Sequence, residues 1–166
     1  MKNNQKGRVS AEYLIEKYAD MVYRIALLQT KNKSDADDVF QEVFLRLVKY
    51  IDTIEDEEHG KHWLMRVTVN CAKTHFMTAW RRHTVFYEDE KEIEESYEMQ
   101  TNEDKEIIYK AVKELPEKYR AVIHFFYYEE LSIAEIAEVL KKKQNTIKSQ
   151  LARGRELLKE KLKGEF

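Results

Sequence analysis

Two stretches of this sequence carry side chains suited to a polyanion. No Asp or Glu occurs from His59 to Tyr87, while Lys61, Arg66, Lys73, Arg81 and Arg82 recur among Trp63, Phe76 and Trp80. Cations track phosphates and aromatic rings stack on unpaired bases, so this mixture suits a single nucleic-acid strand. Asn70 lies mid-segment, where Asn has no helix-forming advantage; it either reads a base edge or faces water. The apolar neighbours of Trp63 favour a core position for it, whereas Trp80 fits packing and stacking equally well.

The second stretch is C-terminal. Ser132 and Glu135 make a Ser-x-x-Glu capping box opening a short helix to Leu140, and a turn over Lys141–Gln144 leads into a longer basic helix. A short capped helix, a tight turn and a basic helix form a helix-turn-helix pattern. Lys148, Ser149, Ala152 and Arg153 lie off the apolar side in its first turns, the end that enters a major groove. Arg153 suits a guanine edge, Lys148 and Ser149 suit bases or phosphates, and the helix N-terminus attracts a phosphate. A solvated basic helix on a small bundle is the bland alternative, and the capped helix before it favours DNA.

Other chemistry fits less well. His59, His62, Cys71 and His75 include His-x-x-His and Cys-x-x-x-His spacings permissible for zinc. Cys71 falls on the apolar side, however, and a lone buried cysteine is usually a small hydrophobe. Asp35, Asp37 and Asp38 are better explained by a helix N-terminus than by a metal box. No Ser-His-Asp order, apolar carboxylate pair or Gly-rich phosphate loop is present. The expectation is therefore no enzyme, no catalytic residue, no metal, no cofactor and no small-molecule substrate.

The elements that must position these residues read as all-α. Apolar residues recur at helical spacing from Ser10 to about Thr30. Ser34 reads as the N-cap of a second helix, with Asp35, Asp37 and Asp38 in its first turn. Its apolar stripe is Ala36, Val39, Phe40, Val43, Phe44, Leu47, Val48 and Ile51. The run from Asp52 to His59 reads as a polar loop ending near Gly60. A long helix follows from about Lys61 to Arg82, with Trp63, Leu64, Val67 and Cys71 inward. Residues 88–102 are acidic and sparse in apolar groups, which reads as a flexible linker. A helix over about 102–114 follows. Pro116 then starts one that carries Tyr119, Val122, Ile123 and Phe126 and ends near Tyr128. In the helix-turn-helix, Ala134, Ile136, Ala137 and Leu140 face Ile147 and Leu151. Gln144 or Asn145 caps the last helix, which also turns Leu158 and Leu162 inward. The chain thus divides into two small helical domains, 1–87 and 103–166, joined by the linker.

Composition agrees. The 166 residues include 1 Pro, 4 Gly and 1 Cys, which excludes a turn-rich β-sandwich and a disulfide framework. No stretch is apolar enough to span a bilayer and no secretory signal is visible, so the expected location is cytoplasmic. The net charge of −2 conceals a partition: residues 1–87 sum to +2, residues 88–106 to −8 and residues 107–166 to +4. Local patches, rather than the total, set the field a polyanion meets.

The combination resembles a family. DADDVFQEVFLRLVKY (35–50) is similar to the core-binding helix of bacterial RNA polymerase sigma factors. WLMRVTVNCAKTHFMTAWRRH (63–83) resembles their strand-opening, minus-ten-reading helix. LPEKYRAVIHFFYYEELSIAEIAEVL (115–140) and NTIKSQLARGRELLKEKL (145–162) resemble their minus-thirty-five-reading domain. The length leaves no room for further domains, which points to the extracytoplasmic-function (ECF) type. The resemblance implies that Asp35, Asp38, Gln41, Glu42 and Arg46 dock on core polymerase. It implies that His59, Lys61, His62, Trp63, Asn70, Lys73, Trp80, Arg81 and Arg82 serve the minus-ten element. Asn145, Thr146, Lys148, Ser149, Ala152 and Arg153 would serve the minus-thirty-five element. Implied partners are the largest and second-largest polymerase subunits, promoter DNA and an anti-sigma factor. Two departures are Gln150, where a phosphate-contacting Arg is common, and Gly154, where Ala is common; both bear on the recognised bases. The competing class is an ordinary helix-turn-helix regulator with a sensing first half, which needs no acidic docking face.

Overall fold

The computed structural model describes residues 8–82 and 103–164, with side chains only to His75 in the first stretch. The 88–102 segment read as a linker thus lies outside the described residues. The chain divides into two compact units, Met1–Lys91 and Glu92–Phe166, and the described residues contain helices and no strand. No described helix is long and apolar enough to cross a membrane.

The first unit packs three helices on one another: α1 (Ala11–Thr30), α2 (Lys33–Tyr50) and α3 (Glu57–Arg82). Ser10 Oγ accepts the Tyr13 amide at 3.0 Å and caps α1. Lys31 ends α1 in the left-handed region and donates its N–H to the Leu27 carbonyl at 2.8 Å. That reversal leaves Asn32 extended, and Asn32 rather than Ser34 caps α2, accepting the Asp35 amide at 3.0 Å. Asp35 alone therefore occupies the first turn, and Asp37 and Asp38 stand exposed in the next.

Leu14, Val22, Ile25 and Leu28 of α1 meet Val39, Val43 and Leu47 of α2 in the core. Val48 departs from its expected place: one position past Leu47 rotates it about 100° around the helix, and it is 57% exposed. Leu45 beside it is 68% exposed. Phe40, only half-buried, sets its ring edge against Phe44 at 4.8 Å.

The expected loop before Gly60 is shorter. A 3₁₀ turn, Ile51–Thr53, tightens the connection, and α3 begins at Glu57. Asp56 Oδ1 accepts the His59 amide at 2.7 Å and the Asp56 carbonyl accepts that of Gly60 at 3.0 Å. Gly60 lies inside α3 because a Cβ there would stand 2.9 Å from Leu14 Cδ1. Its use is close helix approach, not loop closure. Glu57 anchors this end to α1, accepting the Tyr18 hydroxyl at 2.9 Å and pairing with Lys17. Burial, reinforced by the Glu57 carboxylate, pushes the Tyr18 phenol up to about 12. The inward side of α3 is Leu64, Met65, Thr68, Cys71 and Ala72. Trp63 and Val67, expected inside, are half-buried on its flank. Thr68 is accommodated because its hydroxyl donates to the Leu64 carbonyl.

The second unit holds α4 (Glu103–Lys113), α5 (Glu117–Ile123), α6 (Ile133–Leu140) and α7 (Gln144–Lys161). Pro116 precedes α5 as expected. His124–Tyr128 then forms a π turn in which Glu129 donates its N–H to the His124 carbonyl at 3.1 Å. The wider turn puts Phe125 wholly in the core and leaves Phe126, the expected core residue, half-buried beneath Arg155.

Both arms of the capping box are present at 3.1 Å, Ser132 N–H to Glu135 Oε1 and Glu135 N–H to Ser132 Oγ. Ser132→Ala is expected to cost about 1 kcal/mol, read as a lower urea midpoint of the full chain with unchanged helicity. In α6 the buried residues are Ile136, Ala137 and Val139, while Ala134 is exposed and Leu140 half-buried. Lys141 closes α6 in the left-handed region. Lys143, not Gln144 or Asn145, occupies the N-cap of α7 and contributes no side-chain bond. Ile147, Leu151 and Gly154 form the buried side of α7, with Leu158 and Leu162 only half-buried. A Cβ at Gly154 would meet Ile123 Cγ1 at 3.0 Å, so this glycine permits the α5–α7 crossing.

Candidate nucleic-acid interface

Burial of Ile147 and Leu151 fixes the rotation of α7. Asn145, Thr146, Lys148, Ser149, Ala152 and Arg153 are consequently all exposed. The helix begins without a side-chain cap, next to the exposed turn Lys141–Lys143. Its first amides and three ammonium groups favour an anion. Ser149 Oγ donates to the Asn145 carbonyl at 3.0 Å, and Arg153 rests on Glu156 at 3.0 Å, both on open surface. An exposed ion pair of this kind is weak, so Arg153 is readily released to a stronger acceptor.

A hollow of about 460 Å³ lies along this face, lined by Asn145, Thr146, Ser149, Gln150 and Arg153 together with Lys118 and Tyr119 of α5. The sequence reading missed Lys118 and Tyr119. Their signal was a cation and an aromatic in the first turn after Pro116. Gln150 is half-buried on the inner rim, and Gly154 is a packing residue rather than a reader.

In the first unit, α3 gathers His59, His62, Trp63, Arg66, Asn70 and Lys73 along one stripe by their helical spacing. Asn70 and Lys73 are exposed; Lys61 and the first four of the stripe are half-buried. Arg66 joins the stripe although only its charge had been noted. His59 has a local duty, accepting the Glu55 amide at Nδ1, 3.0 Å away. The side chains of Trp80, Arg81 and Arg82 lie outside the described residues, although their backbone belongs to α3.

On α2, Asp38, Gln41, Glu42 and Arg46 are exposed. Glu42 accepts from Arg46 Nε at 2.9 Å. Asp35 is half-buried and meets His75 of α3 at 2.9 Å. Leu45 and Val48 give this charged face an apolar margin. The Cys71 thiol is held above its usual range by burial, as suits a core residue rather than a ligand.

Two family models match the chain: Sigma-70 region 2 over residues 14–82 and Sigma-70, region 4 over residues 105–158. The RNA polymerase sigma factor SigV of Bacillus subtilis is 28% identical over 96% of this chain and 95% of its own length. The ECF RNA polymerase sigma factor SigW of the same organism is 27% identical over 90% and 87%. This chain belongs to the ECF sigma factors of RNA polymerase.

Solved structures share the fold. RpoE of Bartonella quintana, solved with the anti-sigma factor NepR, gives a TM-score of 0.76 at 20% identity, covering 93% of this chain and 98% of its own. CnrH, solved with the cytosolic domain of CnrY, gives 0.69 at 18% identity, covering 99% and 93%. As an ECF sigma factor the chain is a transcription initiation factor acting with core polymerase on promoter DNA, not an enzyme. The region 2 match holds α2 and the α3 stripe, and the region 4 match holds the helix-turn-helix.

Proposed function

We propose that residues 1–87 form the polymerase-docking and minus-ten-reading domain, residues 88–102 an acidic connector, and residues 103–166 the minus-thirty-five-reading domain. Asp35, Asp38, Gln41, Glu42 and Arg46 of α2 dock on core polymerase, with Leu45 and Val48 as the apolar edge of the contact. The stripe His59, His62, Trp63, Asn70 and Lys73, with Lys61 beside it and Trp80, Arg81 and Arg82 beyond, takes the non-template strand. Base capture costs a few kcal/mol of unstacking, which these contacts offset. Asn145, Thr146, Lys148, Ser149, Ala152 and Arg153 read the duplex, and Lys118 flanks them as a phosphate contact. The observation that carries this reading is the single exposed face of α7, its start uncapped and its opposite side locked by Ile147 and Leu151. The protein works in the cytoplasm, where polymerase is. An anti-sigma factor restrains it, a reading supported by the structural relative RpoE, which was solved with the anti-sigma factor NepR.

Run-off transcription from fragmented genomic DNA with core polymerase tests the reading. Transcripts should start at a shared two-part motif only when the protein is added; starts independent of it refute the reading. Arg153→Ala should reduce discrimination against altered minus-thirty-five sites by about 1–3 kcal/mol if a bidentate base contact is lost. Footprints with unchanged discrimination would remove Arg153 from the set.

A further inference from the structure

The four residues with zinc-like spacing do not form the convergent set. Among the described residues of the first unit, the donors that do converge are Asp35, Asp38 and His75, all within 4.8 Å of one another. His75 Nε2 stands 2.9 Å from Asp35 Oδ1 and 3.9 Å from Asp38 Oδ2. Donors placed around one tetrahedral cation at zinc distances are roughly 3.3 Å apart. The two observed separations bracket that value, so small rotations of Asp38, an exposed side chain, complete the geometry.

Helix structure explains the convergence. Asp35 and Asp38 are i,i+3 neighbours on α2 and project from one side. His75 arrives from α3, four residues beyond Cys71, whose burial fixes the rotation of that helix. The Asp35 amide donates to Asn32 Oδ1, while the Asp35 carboxylate is directed at His75. The His75 and Asp35 side chains are 29% and 34% exposed, accessible to an ion yet partly held. One imidazole and two carboxylates, with water in an open position, suit a divalent first-row cation such as zinc or cobalt.

We propose that Asp35, Asp38 and His75 bind a divalent transition cation, and that occupancy masks the docking face of α2. The masking rests on the docking role proposed above; the metal binding does not. A bound dication neutralises the two carboxylates and draws Asp38 toward α3, away from a polymerase surface.

The experiment uses the metal-free full chain. Cobalt(II) absorption and zinc calorimetry should report one site per chain. His75→Ala should weaken it by about 10-fold or more, since losing even a supporting ligand costs that much. His75→Gln keeps a hydrogen-bond donor for Asp35 without the ligand nitrogen and should lose the metal equally, with an unchanged melting temperature. A double variant, His59→Ala with His62→Ala, should retain it. No binding, or binding indifferent to both His75 variants, overturns the site. Zinc should then reduce retention of core polymerase by the wild-type chain and leave His75→Gln unaffected. Binding at His75 with undiminished polymerase retention overturns the masking. Failure of the docking role itself is read separately, without metal, from charge reversal at Asp38.

Discussion

Asp38→Arg and Glu42→Lys should each abolish retention of core RNA polymerase while leaving the first unit folded. Both side chains are exposed, and the apolar stripe beneath them, Val39, Val43 and Leu47, is untouched by either change. Folding cost should therefore stay within about 0.5 kcal/mol, the usual range for surface substitutions. Binding behaves differently. A charge reversal in a docking face loses an attraction and adds a like-charge contact, which costs several kcal/mol. Glu42→Lys also faces Arg46, the partner that Glu42 now engages at 2.9 Å. Pull-down with either variant, with circular dichroism as the folding control, decides the matter; full retention of polymerase by a folded variant removes α2 from the interface. A Leu45→Glu variant tests the apolar margin in the same assay.

Phe125→Ala should destabilise the second unit by about 3–5 kcal/mol, the usual cost of emptying a buried aromatic site. Phe125 is fully buried and held in the π turn, where a wider hydrogen-bonded loop fixes its direction. The adjacent Phe126→Ala is expected to cost clearly less, because that ring is half-buried and in contact with Arg155 and Tyr127. Urea unfolding of both variants supplies the comparison. Equal costs would mean that the turn does not select between the two rings. Since natural domains hold only about 5–15 kcal/mol in total, loss of Phe125 should also abolish reading of the minus-thirty-five element at elevated temperature.

These residues also mark where the sequence was readable and where it was not. Periodicity located α2 and α7, because Val39, Val43 and Leu47, or Ile147 and Leu151, repeat at the spacing of one face. The capping box at Ser132 was legible because both of its partners are local. Periodicity could not see the extra residue of the π turn, so it chose Phe126 over Phe125. Nor could it see that Gly60 serves a helix contact, since Leu14 lies 46 residues away in sequence. Ser34 lost the cap to Asn32 because the left-handed Lys31 ends the preceding helix one step before. Val48 was assigned inward as part of the periodic stripe, four residues beyond Phe44, but it falls on the margin of that stripe and is exposed.

The exposed face of α7 was legible because one rotation of one helix determines it. The hollow was not, because Lys118 and Tyr119 reach it from α5 across the crossing that Gly154 permits. Sites built within an element are written in its spacing, whereas sites built between elements depend on packing distances. The Asp35–His75 meeting is of the second kind, joining residues 40 apart.

Lys141 carries a last consequence. Its φ of 53° lies where a side chain costs roughly 1–2 kcal/mol and glycine costs none. Glycine would make the joint between α6 and α7 easier to form, yet would leave one cation fewer beside the uncapped start of α7. Lys31 and Glu130 hold the same conformation, at 57° and 56°. All three are charged residues at the ends of helices. The chain thus forgoes backbone stability at its joints and carries charge there instead. Glycine at such a joint would return that backbone cost, so these positions are where a stabilising change could offset a destabilising one elsewhere.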